Sequence, residues 1–203
     1  MIGICSNCGN YDWDKEVRKE DKTVVRCPKC GHTWKSKALP LFILTGCSGV
    51  GKTTTALELQ QRDTNFIILD ADYFTFMPSE TSEDWAAHVE QMESLSSDLM
   101  QCGLPVMWAM AGNLDRLKHT YHKRFFRDIH CLALVCDEQE LRRRMQEGRQ
   151  ITDENWIQSS VDYNQYFMEH DHIGDTVFET FDITGKSKKE VADYVIHWMR
   201  KLI

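Results

Sequence analysis

Four cysteines in two close pairs, a glycine-rich run closing on Lys-Thr, and two aspartates one residue apart are the groups in this chain with chemistry to offer. The pairs are Cys5-Ser6-Asn7-Cys8 and Cys27-Pro28-Lys29-Cys30, and Gly9 and Gly31 directly follow them. A Cys-x-x-Cys sets two thiolates on one tight turn, and glycine behind it lets the backbone curl so that its amides face the sulfurs. Four thiolates complete a tetrahedral shell for Zn2+ with no position open to water, so the metal expected here is structural. The glycine-rich run, Gly46-Cys47-Ser48-Gly49-Val50-Gly51-Lys52-Thr53, fits G-x-x-x-x-G-K-[ST] without a mismatch. In such a run Gly46, Gly49 and Gly51 free successive amides to turn inward on the phosphates of ATP. Lys52 then bridges the β- and γ-phosphates and the Thr53 hydroxyl ligates Mg2+; Cys47, Ser48, Val50 and Thr54 complete the cradle. The aspartates, Asp70 and Asp72, share one side if the segment is extended. One can hold magnesium through water and the other can accept the proton of an attacking hydroxyl.

These groups need elements to position them. Leu41-Phe42-Ile43-Leu44-Thr45 is a continuous apolar run, as a buried parallel strand requires, and it feeds directly into the glycine-rich loop. A helix pattern follows in Thr54, Ala56, Leu57 and Leu59, so the phosphates meet the positive end of a helix. A second strand, Phe66-Ile67-Ile68-Leu69, ends at the Asp pair, where an open α/β sheet places its ligands. A helix is expected over 82–101, opened by Thr81 with Asp84 three residues on. A third strand is expected over 105–111 and a fifth over 177–182. Ser187 and Glu190 make a capping box for a last helix with Val191, Tyr194, Val195, Trp198, Met199 and Leu202 on its apolar face.

Between the cysteine pairs, Thr23-Val24-Val25-Arg26 suggests a β-hairpin, and the first forty residues resemble a zinc ribbon of the CPxCG type. The expected architecture is therefore α/β: a P-loop three-layer sandwich with a five-stranded parallel sheet over 41–203, preceded by a small β zinc ribbon over 1–38, with 35–40 as a short linker. No apolar run approaches the length that spans a bilayer, and Met1-Ile2-Gly3-Ile4-Cys5 has no basic-then-apolar leader. The expected compartment is the cytosol, where thiols stay reduced and paired cysteines bind metal. The net charge of −7 disfavours a surface that grips nucleic acid all over. Residues 1–40 nevertheless carry eight Lys or Arg against five Asp or Glu, a slightly basic head on an acidic body. Tyr11, Trp13, His32 and Trp34 with Lys15, Arg18, Lys19 and Lys35 can form a single-strand-binding surface or can cover the small core a ribbon needs.

From the P-loop onward the chain resembles the small-molecule kinases of the nucleoside monophosphate kinase fold, among them shikimate kinase, gluconate kinase and chloramphenicol phosphotransferase. The Asp-x-Asp after the second strand is similar to the shikimate kinase arrangement. By that likeness Asp70 serves magnesium and Asp72 the acceptor, as base. Ile129-His130-Cys131-Leu132-Ala133-Leu134-Val135-Cys136 looks like the fourth strand of that fold, and 137–149 like the helix and lid whose arginines close over nucleotide phosphates. Arg144 and Arg149 match the family spacing, which leaves Arg142 and Arg143 on the solvated helix face. In relatives the loop at 184–186 passes the adenine. The chain departs from many P-loop enzymes at the end of the third strand, where Gly112-Asn113 carries no acid; this shifts the metal to Thr53 and Asp70.

The resemblance implies an ATP-dependent kinase whose γ-phosphate goes to a hydroxyl of a small acceptor. The segment after Asp72 would form the acceptor lobe, and Tyr73, Phe74, Phe76 and Trp85 there suit either a nucleoside-like acceptor or ordinary core packing. The alternative is a protein directed at nucleic acid, an RNA or DNA end kinase or a nucleotide-dependent switch, guided by the ribbon. Cys47, Cys102, Cys131 and Cys136 lack metal spacing and are expected as buried packing residues, and His119, His122, His170 and His172 as surface residues. Oligomeric state is not legible.

Overall fold

The computed structural model describes residues 1–18, 21–62, 64–74 and 81–203, with only the backbone at Tyr73, Phe74, Ser82 and Glu83. Lys19 and Phe76 therefore lie outside the described residues, as do the side chains of Tyr73 and Phe74. Three short antiparallel strands open the chain: β1 (Glu16–Val17), β2 (Val24–Arg26) and β3 (Thr33–Lys35), in the order β1-β2-β3. Then come β4 (Leu41–Thr45), α1 (Lys52–Gln60), β5 (Ile67–Asp70), α2 (Ser82–Leu99), β6 (Val106–Ala109) and β7 (Ile129–Val135). The chain closes with α3 (Glu138–Arg143), α4 (Glu154–Glu169), β8 (His172–Ile173), β9 (Thr176–Val177), β10 (Glu179–Asp182) and α5 (Lys188–Lys201).

The five-stranded sheet runs β10-β7-β4-β6-β5 and is parallel throughout, with the strand that feeds the glycine-rich loop at its centre. Every residue of β4 is buried, and its side chains alternate between two cores. Phe42 and Leu44 face α1, α4 and α5, beside Ala56, Leu59, Val191, Val195 and Trp198. Leu41 and Ile43 face the other side, beside Val89 and Met92 of α2 and Phe167 of α4. A strand buried on both faces cannot show apolar–polar alternation, which is why β4 reads as a continuous apolar run and β7 as one from Cys131 onward. Helix ends behave as the sequence implies: Thr81 and Asp84 form a capping box on α2, and Ser187 and Glu190 form one on α5.

Several expectations need correction. Residues 70 and 72 do not share an extended segment, because the chain turns into a 3-10 helix at Ala71. The fifth strand begins at Glu179, since Thr176–Val177 pairs with His172–Ile173 in a small hairpin instead. Cys102 is exposed, unlike Cys47, Cys131 and Cys136. His122 is buried, its ring nitrogen Nδ1 against the Glu90 carboxylate of α2, which also accepts from the backbone amides of Tyr121 (2.6 Å) and His122 (3.0 Å). A neighbouring buried carboxyl, Glu93, is pushed up to about 8 by burial and accepts a bond from the Thr120 hydroxyl. Residues 35–40 are no free tether: Lys35 ends β3, Pro40 is buried, the Lys37 amide donates to Gln101 (2.9 Å) and the Arg127 amide donates to the Leu39 carbonyl (3.1 Å).

The N-terminal segment packs against the body. Ile2 and Val25 share a small core with Phe125, with Trp34 and Tyr121 at its edge. Trp13 stacks on Tyr121 at 5.7 Å, the Lys15 amide donates to the Tyr121 hydroxyl (2.7 Å), and Lys22 Nζ donates to the Phe126 and Arg127 carbonyls (3.1 and 2.6 Å). Lys15 is fully buried and paired with Asp14, so it offers no surface charge, whereas Lys35 is exposed and pairs with Asp21. Tyr11 and Trp13 remain exposed, while Trp34 is half-buried. Among the described residues no helix is long and apolar enough to cross a membrane. Deleting residues 1–38 strips Phe125 and Tyr121 of cover. The remainder is expected to unfold cooperatively but with stability lowered by about 2 to 4 kcal/mol; a urea melt matching the full chain would show that these contacts contribute nothing.

Candidate active site and thiolate cluster

The loop after β4 must reverse direction beside the sheet and leave its amides unspent. Gly46 has φ of 132°, and a Cβ there would sit 2.5 Å from the Leu134 carbonyl oxygen of β7. No other residue fits so close to backbone at that dihedral. Gly51, at φ of 114°, occupies the N-cap of α1, where no side chain caps the helix and no acid stands in the first turn. The helix therefore begins with unsatisfied amides and a positive dipole end, which is an anion cradle. Lys52 Nζ rests on the carbonyls of Gly46 (2.9 Å) and Cys47 (2.8 Å). Burial holds its pKa below the ordinary lysine range, while the charges of Asp72 and Asp70, among others, act in the opposite sense.

A cleft of about 840 Å³ opens over this loop at the C-terminal ends of β4, β5 and β6. Its walls include Ser48, Gly49, Val50, Gly51, Lys52, Thr53 and Thr54, together with Asp70, Asp72, Arg144 and Arg149. The structure thus brings the sequence-predicted residues together, apart from Gly46 and Cys47, which lie beneath. Cys47 is buried with its Sγ 3.8 Å from Asn164 Oδ1, the same oxygen that accepts from the Cys136 amide (3.2 Å). Burial pushes the Cys47 thiol up to about 11, so it is inert packing under the loop.

The two aspartates differ. Asp70 is 4% exposed; its Oδ1 accepts from the Asp72 amide (3.0 Å), and its Oδ2 is buried with no partner. A buried carboxylate oxygen with no partner is costly unless something positive completes it. Thr53, exposed at the start of α1, borders the same cleft, so the donor set fits a hard cation held by one carboxylate and a hydroxyl. Asp72 is exposed to the cleft.

The arginines also part company. Arg144 NH1 donates to the Val50 carbonyl (2.9 Å), and its guanidinium is paired with Glu140, whose other oxygen accepts from the Gly185 amide (3.0 Å). Arg149 NH1 donates to Ser48 Oγ (2.8 Å). Arg142 is tied to Glu138 and Glu154, as expected of a solvated face, but Arg143 lines the cleft. Further lining residues had no assigned place there, among them Trp156, Met110 and Lys188. Trp156 belongs to α4, a helix whose Asp153 N-cap was a legible signal, although nothing in its sequence tells which side chain meets the cleft. Lys186, in the loop compared with the adenine contact of relatives, lines the cleft too.

At the other end, the sulfurs of Cys5, Cys8, Cys27 and Cys30 all lie within 4.8 Å of one another. Cys5 and Cys30 are 3.6 Å apart and Cys8 and Cys27 3.8 Å. A tetrahedron with Zn–S bonds near 2.3 Å has edges of about 3.8 Å, so this donor set fits zinc.

The family model that matches this chain, described as an AAA domain, covers residues 43–166. No curated protein matches it in sequence. Among solved structures, a sugar kinase from Janibacter sp. HTCC2649 is similar with a TM-score of 0.59 at 15% identity, over 81% of this chain and 95% of that one. A gluconokinase from Sinorhizobium meliloti 1021 gives 0.58 at 13% identity, over 82% and 95%. Shikimate kinase from Acinetobacter baumannii, in complex with shikimate, gives 0.52 at 15% identity, over 80% and 94%. At these identities the likeness is one of fold.

The close approach at Gly46 is directly measurable. Gly46→Ala should cost about 2 to 4 kcal/mol in denaturant unfolding. Gly112→Ala, where a Cβ meets nothing within 4 Å, should stay within about 0.5 kcal/mol of wild type.

Proposed function

The chain belongs to the AAA-domain family, and on that premise we propose that it is an ATP-dependent phosphotransferase carrying the γ-phosphate to a hydroxyl of a small acceptor. One observation supports this reading above the others: Lys52, the partly unsatisfied Asp70, Asp72 and Arg149 line a single cleft at the loop where α1 begins. A mere nucleotide binder needs the loop and the lysine. The exposed Asp72 beside them is the addition that a transfer to a hydroxyl requires. The names of the similar structures, a sugar kinase, a gluconokinase and a shikimate kinase, favour a polyhydroxylated acceptor.

In this reading residues 46–54 receive the nucleotide phosphates on backbone amides, and Lys52 offsets the charge that builds on the transferring group. Thr53 and Asp70 would hold Mg2+, which supplies charge neutralisation at the phosphates. Asp72 orients the acceptor hydroxyl and takes its proton. Arg149, now on Ser48, turns to the phosphates, while Arg144 braces the loop at Val50 and reaches the cleft beside it. Cys5, Cys8, Cys27 and Cys30 hold structural zinc, which is consistent with a reducing, cytosolic compartment. Residues 1–38 and 41–203 act as ribbon and kinase domain.

Lys52→Ala should reduce ATP-dependent phosphorylation to below about a tenth of wild type. Asp72→Asn should slow single-turnover transfer by roughly 10²-fold with ATP affinity nearly unchanged, because a loose transition state needs modest help from a base. Asp70→Asn should instead raise the magnesium requirement. The acceptor comes from an ATP-consumption screen of sugars, nucleosides, antibiotics and oligonucleotide ends, and wild-type turnover in both aspartate variants would sink the mechanism.

Metal analysis of protein purified without chelator should find about one zinc per chain. The Cys27→Ser, Cys30→Ser double variant should lose it, and zinc retained in that variant would refute the assigned ligands.

A further inference from the structure

Arg149 and Trp156 make a contact that the phosphate-transfer reading leaves unused. The Arg149 guanidinium carbon lies over the Trp156 ring, 5.7 Å from its centroid, while NH1 of the same guanidinium reaches Ser48 Oγ at 2.8 Å. The indole is 46% exposed, which is unusual for so large an apolar group, and it lines the phosphate cleft. Its backbone is fixed: the Asp153 carboxylate accepts from the amides of Asn155 (2.9 Å) and Trp156 (3.3 Å) at the start of α4. The backbone beyond Arg149 is fixed as well. Gln150 takes a left-handed φ of 55°, and the Ile151 amide donates to the Met145 carbonyl (3.0 Å). The backbone at both ends of the contact is thus held by the fold.

We propose that Trp156 is a positioning residue, whose ring face holds the Arg149 guanidinium over the phosphate loop in readiness for the nucleotide's terminal phosphates. This rests on the reading of the cleft as a nucleotide-phosphate site. The neighbouring arginines show why a ring is the suitable partner. Arg142 is spent on Glu138 and Glu154, and Arg144 on Glu140, so their charges are neutralised and part of their donor edge is occupied. Among the described residues Arg149 forms no ion pair with a carboxylate. A ring face attracts the cation through its quadrupole and leaves every in-plane N–H free. The hydroxyl of Ser48 is a neutral acceptor that a phosphate oxygen displaces readily, since charge-assisted bonds are stronger. Trp156 thus restrains Arg149 without competing with the ligand, and charge and donors both remain available.

The competing role for an indole in this cleft is stacking on the nucleobase, and a ligand without a base separates the two. Binding of magnesium tripolyphosphate and of a magnesium complex of a non-hydrolysable ATP analogue is measured by calorimetry on the full chain. Trp156→Ala should weaken both ligands by the same factor, about three- to tenfold, the usual size of a cation–π contact. Trp156→Phe, which keeps a ring face, should recover most of that loss, whereas Trp156→Leu should not. In an Arg149→Ala background Trp156→Ala should add nothing. Loss confined to the ATP analogue would make Trp156 a base-stacking residue and overturn the proposal. Equal affinity in all three Trp156 variants, or a full additive loss in the Arg149→Ala background, would overturn it too. Lys52→Ala is the control on the premise. If it leaves tripolyphosphate binding intact, the phosphate reading fails and the proposal with it. If it abolishes binding while the Trp156 variants bind like wild type, only the proposal fails.

Discussion

The tightest constraint in the molecule is the backbone of the loop between β4 and α1. Gly46 passes so near the Leu134 carbonyl that a single methyl group would collide with it. The same loop delivers Gly51 to the helix start with no side chain to cap it. Helix geometry leaves the first amides of α1 without intrahelical partners, so the loop depends on its surroundings to hold it. β4 anchors one end at the centre of the sheet, between β6 and β7. At the other end α1 packs on α5, with Arg62, just beyond α1, pairing Glu58 of α1 and Asp193 of α5.

Three further ties hold this loop, two of them from parts of the chain far away in sequence. Asn164, buried on α4, joins the Cys47 thiol to both backbone groups of Cys136 at the end of β7. Arg144 grips the Val50 carbonyl and is itself held by Glu140, which also receives the Gly185 amide before α5. Lys52 rests on the carbonyls of Gly46 and Cys47, which occupies its donors within the loop itself. Rigid positioning of this kind is what electrostatic stabilisation of a transferring phosphoryl group requires, since donors that must reorganise during the reaction forfeit much of their effect.

The N-terminal segment is tied to α2 as well. Trp13 lies on Tyr121 and edges against His122, whose ring and amide engage Glu90 of α2. The N-terminal segment is thereby joined to α2 through ring contacts and a buried histidine–carboxylate pair. A hydrogen-bonded, buried network of this sort fixes geometry more firmly than the same groups in water would.

Local chemistry was legible because it is local. The two Cys-x-x-Cys turns, the phosphate loop with its strand and helix, and the capping boxes at Thr81 and Ser187 depend on residues within a few positions of each other, and spacing alone specifies them. The parallel sheet was expected from the unbroken apolar run of β4 and from the resemblance to P-loop kinases, whereas its strand order comes from the structure alone. What spacing could not specify was every feature set by contacts across the chain. Asp70 and Asp72 looked alike in sequence, yet a turn at Ala71 buries one and exposes the other. Cys102 and His122 exchanged the environments their types suggest, because α2 brings a carboxylate to the histidine and ends before covering the cysteine. Arg143, Arg144 and Arg149 lie close in sequence and all line the cleft, and only packing gives one the loop carbonyl and Glu140 and another Ser48 and Trp156. A side chain's neighbours along the chain settle its backbone, but its charge state, exposure and reach are settled by neighbours in space, and those exist only once the layers have closed.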